Sequence, residues 1–218
     1  TVGPVVLRLA QTKQEIEAAQ ALRYDIFYRE YGAKPVRDMQ VLGRDYDDYD
    51  ATADHLIVID TRIDDPKKRV VGTYRLINKN AARSVGRFYS ADEFDIDLLE
   101  YSGLELVELG RSCVHPDYRT RAILQLLWQG IAEYIFYHES QVLFGCASFH
   151  TTDTESVADC LSYLYHFHRA PAALCPKALK HRFVSMNLRP ADSLDQRDIL
   201  NKLPPLIKGY LRLGGHVG

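Results

Sequence analysis

Glu108 and Arg111 stand three apart in "LELVELGRSCVHPDYR", residues 104–119. The stretch otherwise reads as a buried strand, with Leu104, Leu106, Val107 and Leu109 close together. Charge in a core strand is costly unless it is paired or used. A carboxylate placed there can accept a proton, and a guanidinium can fix that carboxylate or steady negative charge. In a regular strand, positions 108 and 111 face opposite sides. Gly110 lies between them, and glycine inside a strand often marks a bulge. The expectation is a bulge near Gly110 that turns both side chains to one cleft. Its unpaired backbone N–H groups would then be donors to a carbonyl oxygen becoming an oxyanion.

More charge falls on elements that should be buried. Thr12 and Glu15 have capping-box spacing, and the helix they open should run to about Tyr31 and end at Gly32. Ile16, Ala19, Arg23 and Phe27 share one face of it, so Arg23 sits among core positions. Spacing leaves open whether Arg23 snorkels to the rim or points into a cleft. "HLIVID" (55–60) and "RVVGTYRLI" (69–77) read as a hairpin, with Val71, Thr73, Arg75 and Ile77 on one face. Before the hairpin lies a long polar loop, "VRDMQVLGRDYDDYDATAD" (36–54), which by composition reads as solvated acid. It carries Asp47 and Asp50, three apart, without calcium-loop spacing.

Residues 78–103 read as irregular, with a short helical piece near Asp95–Glu100. "HPDYRTRAILQLLWQGIAEYIFYH" reads as a helix, and "VLFGCAS" (142–148) as a buried strand. A helix opened by a capping box at Thr152 and Glu155 presents Val157, Leu161, Leu164 and His168 on one side. "RFVSMNL" (182–188) suggests a strand, and "LPPLIKGYLRLG" (203–214) a short helix with prolines in its first turn. Hairpin and helical crossovers together imply an α/β fold with a mixed sheet.

The 218 residues are 46% hydrophobic, enough for one ordinary core, and a single domain over 1–218 is expected. A net charge of −2 gives no global pull toward nucleic acid or anionic lipid. No run approaches a membrane span. Cys113, Cys146, Cys160 and Cys175 lack CxxC spacing and read as four buried thiols in a reducing cytosol. His166 and His168 read as capping or packing residues, and no metal site is expected.

The order of elements resembles the GNAT acyltransferase fold with a bulged central strand. "LRYDIF", "DYDDYD", "VVGTYRL" and "ELGR" resemble the acyl-homoserine lactone synthases in sequence and order. That resemblance implies a site of Arg23, Phe27, Asp47, Asp50, Arg75, Glu108 and Arg111. The tryptophan that family places soon after its first helix has no counterpart, since the single Trp is Trp128. "FYSADEFDI", "ELGRSCVHPDYR", "LLWQGIAEYI" and "PPLIKGYLRLGG" look like bacterial N-acyltransferases that acylate ornithine in the first step of ornithine-lipid synthesis, over roughly residues 7–215. This resemblance implies transfer of a 3-hydroxyacyl chain from acyl carrier protein to an α-amino group. Family members usually continue further, so a final strand beyond Gly218 is expected.

In the roles so implied, Glu108 accepts the proton, and Arg111 pairs with it and stabilises charge near the thioester. Arg23 and Arg75 bind the amino-acid carboxylate or complete that network. Asp47 and Asp50 hold cationic groups or latch the loop. "RTRAIL" (119–124) departs from the usual GNAT phosphate loop. That suits a 4'-phosphopantetheine arm brought by acyl carrier protein, with no permanently bound cofactor. Arg119, Arg121, Lys177, Lys180, His181 and Arg182 are the basic candidates for docking an acidic carrier. The expected location is the cytoplasm, with peripheral contact at the inner membrane face left open. Another N-acyl amino acid synthase, a lactone synthase, and a catalytically silent GNAT-shaped binding module are the alternatives.

Overall fold

The structure, a computed structural model, describes residues 3–218. In chain order its elements are β1 (Val5–Leu9), α1 (Lys13–Tyr24), α2 (Arg37–Leu42), β2 (Asp54–Asp60), β3 (Val70–Asn78), α3 (Lys79–Val85), β4 (Phe94–Asp95), α4 (Asp97–Glu100), β5 (Leu106–Val114), α5 (Arg121–Tyr137), β6 (Val142–Phe144), α6 (Ala158–Phe167), β7 (Lys177–Ala178), α7 (Gln196–Lys202) and α8 (Pro205–Arg212). They fall into two compact units. One takes in the described residues up to Tyr89 together with Glu105–Gly145, the other Ser90–Leu104 together with Cys146–Gly218.

The first unit is built on a five-stranded sheet in the order β1-β2-β3-β5-β6. The first four strands pair antiparallel, and β5 pairs parallel with β6, so the sheet is mixed. Alternation sorts its residues onto two faces. Leu56, Val58, Tyr74, Leu76, Val107 and Leu109 pack with Ile123, Leu127 and Ile131 of α5. Gly130 lets α5 come this close, because a Cβ there would overlap Leu7 and crowd Leu56. On the other face Ile57, Ile59, Val70 and Cys113 pack with Ala18, Ala19 and Leu22 of α1.

Two register shifts interrupt the ladders. Val58 pairs with Gly72 and Ile59 with Val70, which leaves Val71 as an extra residue. Val71 therefore joins Tyr74 and Leu76 in the cluster under α5 and does not share a face with Thr73 and Arg75, contrary to simple alternation. Thr73 pairs with Cys113 and Arg75 with Gly110, so β5 carries the extra residue in the segment Arg111–Ser112. This is the bulge expected near Gly110. Arg111 takes a φ of +51°, a left-handed conformation unusual for a residue with a side chain. β6 pairs with β5 only over Leu106–Glu108, so Leu109–Val114 have no strand partner on that side among the described residues. At the point of departure a Cβ on Gly145 would overlap the Leu109 carbonyl, so only glycine fits.

In the second unit, Cys160, Tyr163 and Leu164 of α6 pack with Ile199 of α7, Leu203 just after it and Ile207 of α8. Phe94 and Asp95 pair antiparallel with Ala178 and Lys177.

Local expectations fail in instructive ways. α1 ends at Tyr24, and the chain continues as a π-helical turn over Asp25–Glu30 in which the Tyr31 N–H reaches the Ile26 carbonyl. Thr12 caps α1, but Glu15 turns back to Arg8 and to the Gln11 N–H, so no reciprocal box forms. Residues 79–85, read as irregular, form α3, capped by the Asn78 side chain. Pro116–Tyr118 forms a separate 3-10 turn, so α5 starts only at Arg121. The strand read over 142–148 stops at Phe144, and 182–188 forms no strand. No capping box forms at Thr152 and Glu155; the Glu155 N–H instead donates to Asp153 Oδ1 at 3.1 Å. Cys146 is exposed, so only three of the four thiols are buried.

Candidate active site

The acidic segment read as solvated is instead the inner wall of the site. Asp47 is the N-cap of a 3-10 turn, Asp48–Ala51. Its Oδ1 accepts from the Tyr49 N–H at 3.0 Å, and Asp50 Oδ2 accepts from the Asp47 N–H at 3.2 Å. This is a reciprocal capping box, and it accounts for the three-residue spacing of the two acids. The turn aims Asp50 inward.

Arg23 is fully buried and grips Asp50 with both terminal nitrogens, at 2.9 Å and 2.7 Å. Its Nε lies 2.8 Å from Asp45 Oδ2. Arg75 is also buried and reaches Asp47 at 2.5 Å and Asp50 at 3.1 Å. Arg111 contacts Asp45 at 3.1 Å and Asp47 at 3.3 Å. Three arginines and three aspartates thus form one neutral lattice beneath α1. Buried pairs of this kind stabilise little in total, but removing a single partner leaves an uncompensated charge. They also hold Arg111 in its left-handed backbone conformation, a strain of about 1–2 kcal/mol.

The electrostatics agree with this geometry. Burial would raise the Asp50 carboxyl, but Arg23 and Arg75 outweigh it and hold the pKa below the ordinary range. Burial would lower Arg111, but Asp45, Tyr89 and Asp47 outweigh it and keep the guanidinium charged. Burial, then Asp45, pushes the Tyr28 phenol up to about 12, so its hydroxyl donates to Asp45 Oδ1 at 3.0 Å. His55 is held neutral by burial, and its Nε2–H donates to the Asp50 carbonyl at 3.1 Å. Burial also pushes the Cys113 thiol up to about 12, which removes it as a nucleophile.

Only one edge of the lattice reaches solvent. Arg23, Arg75, Asp45 and Asp50 are 5% exposed or less, whereas the Arg111 and Asp47 side chains are 22% and 23% exposed. Glu108 is 1% exposed, and its Oε2 accepts from the Tyr89 N–H at 2.7 Å. The Tyr89 ring in turn lies 4.9 Å from the Arg111 guanidinium carbon. Glu108 and Arg111 therefore meet the same residue on the same side of the sheet. The carboxylate partners of Arg111 include Asp45 and Asp47, where sequence reasoning paired it with Glu108.

Asp45 and Tyr89 escaped the sequence reading. Asp45 stands in "DYDDYD", but nothing local separates a buried aspartate from a solvated one. Tyr89 stands in "FYSADEFDI", where nothing local marks it as a neighbour of Glu108 and Arg111. Phe27 packs against the apolar cluster of Ala18, Ala19 and Leu22. Arg119 forms a two-pronged pair with Glu30 at 2.6 Å and lies over the Tyr31 ring. Arg121 is exposed at the start of α5. Lys177, Lys180, His181 and Arg182 are exposed in the second unit. Among the described residues no group of three or more His, Cys, Asp or Glu side chains is placed to hold a metal ion.

The model of the acetyltransferase (GNAT) domain family matches residues 22–129, a span that contains the whole lattice and Glu108. An L-ornithine N(alpha)-acyltransferase of Rhodobacter capsulatus is 45% identical, covering 97% of this chain and 82% of that protein. The chain belongs to this acyltransferase family. A second member, from Brucella abortus, is 43% identical, covering 100% of this chain and 78% of that one. The fold is accordingly the mixed α/β GNAT fold, and the protein is an acyltransferase. Among solved structures, the AHL synthase LasI gives a TM-score of 0.46 at 13% identity, covering 65% of this chain and 71% of its own. The N-acyl amino acid synthase FeeM gives 0.45 at 14%, covering 72% and 77%.

Proposed function

We propose that the chain transfers a 3-hydroxyacyl group from acyl carrier protein to the α-amino group of ornithine, yielding lyso-ornithine lipid. The observation that carries the site reading is the exposed Asp47–Arg111 edge beside buried Glu108. It offers an anion and a cation 3.3 Å apart, the complement of an amino-acid zwitterion. Arg111 takes the α-carboxylate and Asp47 an ammonium. Glu108 accepts the α-ammonium proton, directly or through water. The freed amine attacks the thioester carbonyl carbon. The nitrogen sheds its second proton as the C–S bond breaks, and the departing phosphopantetheine thiolate takes that proton up. Backbone N–H groups on the open edge of β5 are the donors to the oxyanion. Arg23, Arg75, Asp45 and Asp50 lie too deep to touch substrate here and hold the edge in place.

The carrier docks through basic side chains of the first unit: Arg121 is exposed, and a phosphate at Arg119 competes with Glu30 for the guanidinium. In the second unit Lys177, Lys180 and Arg182 are exposed and form a separate basic candidate. Residues 1–218 act as one acyltransferase domain, because the match to family members runs through both units. No helix of the described residues is long and apolar enough to cross a membrane. The amphiphilic product is delivered from the cytoplasm to the inner membrane face by peripheral contact.

The test is lipid mass spectrometry of cells expressing the chain or its Glu108→Gln variant. A 3-hydroxyacyl-ornithine species is expected with the wild type. Turnover should fall about 10²- to 10⁴-fold in the variant. A different N-acyl amino acid would overturn the acceptor. Full turnover in a folded E108Q would remove Glu108 as base.

A further inference from the structure

We infer that Tyr89 is a further positioning residue, one that sets Glu108 and Arg111 in fixed relation through its backbone N–H and its ring. The inference rests on the roles proposed above for those two residues. Alternation alone would turn positions 108 and 111 apart, and the bulge brings them to one side without joining them. Tyr89 supplies the join. Its N–H reaches Glu108 Oε2 at 2.7 Å, and its ring lies 4.9 Å from the Arg111 guanidinium carbon and 5.8 Å from that of Arg75.

The placement of Tyr89 is itself fixed. Phe88 is 3% exposed and packs edge-on against Phe144, the residue opposite Glu108 in the β5–β6 register. The Tyr89 ring meets Tyr49 edge-on at 6.0 Å, and the Tyr49 hydroxyl donates to the Arg87 carbonyl at 3.0 Å. Tyr89 opens a 3-10 turn, Tyr89–Asp92, so its N–H has no partner within the turn and is available to the carboxylate. The hydrogen bond from the Tyr89 N–H fixes the orientation of the Glu108 carboxyl group. The ring face favours a cation in place at Arg111.

Three variants of the full chain separate the two contributions, assayed with a 3-hydroxyacyl thioester of acyl carrier protein and with ornithine. Tyr89→Ala removes the ring and should lower kcat/KM about thirtyfold, the effect of a desolvated cation–π contact. Tyr89→Phe keeps ring and N–H and removes only the hydroxyl that also hydrogen-bonds the Arg111 guanidinium, so it should lose about tenfold at most and stay above Tyr89→Ala. Tyr89→Pro removes the N–H as well, at a first turn position where proline is tolerated. Compared with Tyr89→Ala, it should lose about a further tenfold, mainly in kcat, and move the acidic limb of the pH profile upward. Wild-type kcat/KM in Y89A, or Y89F as impaired as Y89A, would overturn the ring contribution whether or not Y89P folds. A folded Y89P whose profile superimposes on that of Y89A would overturn the N–H contribution. Glu108→Gln measured in parallel tells the two failures apart. An active E108Q removes the base assignment itself. An inactive E108Q with unaffected Tyr89 variants removes only this inference.

Discussion

The two faces of β3 and β5 are made by alternate residues of the same strands, yet they are held by different physics. Toward α5, Tyr74, Leu76, Val107 and Leu109 form a dry apolar layer with Leu127 and Ile131. Toward α1 and the 47–50 turn, Arg23, Arg75 and Arg111 meet Asp45, Asp47 and Asp50, with Glu108 held by the Tyr89 N–H on the same side. The apolar face tolerates imprecision, because burial is non-directional and follows area. The charged face does not, because each ion depends on its partners' positions. One face supplies stability. The other keeps a strained, charged edge in one arrangement, as an acyl-transfer site requires.

The contrast is open to attack, beginning where the largest effect is expected. Asp50→Ala strands Arg23 and Arg75 and should cost about 3–5 kcal/mol of stability in denaturant melts. The double change Arg23→Met with Asp50→Leu should cost much less, while abolishing turnover. If the double change is as damaging as the single one, the charged face is not a charge-compensation problem. Leu127→Ala on the other face should cost about 2–5 kcal/mol, with kcat retained in the folded fraction. A selective loss of kcat in L127A would erase the division of labour.

Asp45→Asn should lower both stability and turnover, because Asp45 is buried and bridges Arg23 and Arg111. A loss of about 10-fold in kcat/KM is expected, scaled from one charged hydrogen bond. Stability should also depend on pH, in part through the charged face. His55 has a depressed folded pKa, so its contribution is complete above about pH 6.5 and declines as pH falls below that. Asp50 is depressed too, so its contribution is present above about pH 4 and is lost at lower pH. Thermal melts across pH 3–8 should show this decline, and His55→Gln should flatten its upper part. Smallest of all, Arg119→Ala breaks a partly exposed pair with Glu30 and should change stability by about 0–1 kcal/mol. Any larger effect on KM for the acylated carrier would assign Arg119 to docking.

Local sequence determined a good part of this. The hairpin of β2 and β3, the bulge near Gly110, the placement of Arg23 on the buried face of α1 and the proline start of α8 all follow from spacing and backbone chemistry within a few residues. The motif order pointed to the acyltransferase family for the same reason. What tertiary structure decided is which charges meet. Asp45 and Asp50 are indistinguishable from solvated acids until Arg23, Arg75 and Arg111 arrive from distant parts of the chain. Val71 leaves its expected face because of a register shift set by pairing with β2. A capping box forms at Asp47 and Asp50, read by composition as solvated acid, and none forms at Thr12 and Glu15, because Arg8 captures Glu15. Spacing fixes which side of an element a residue occupies; only the packed fold fixes what stands opposite, and electrostatic energy depends on that separation.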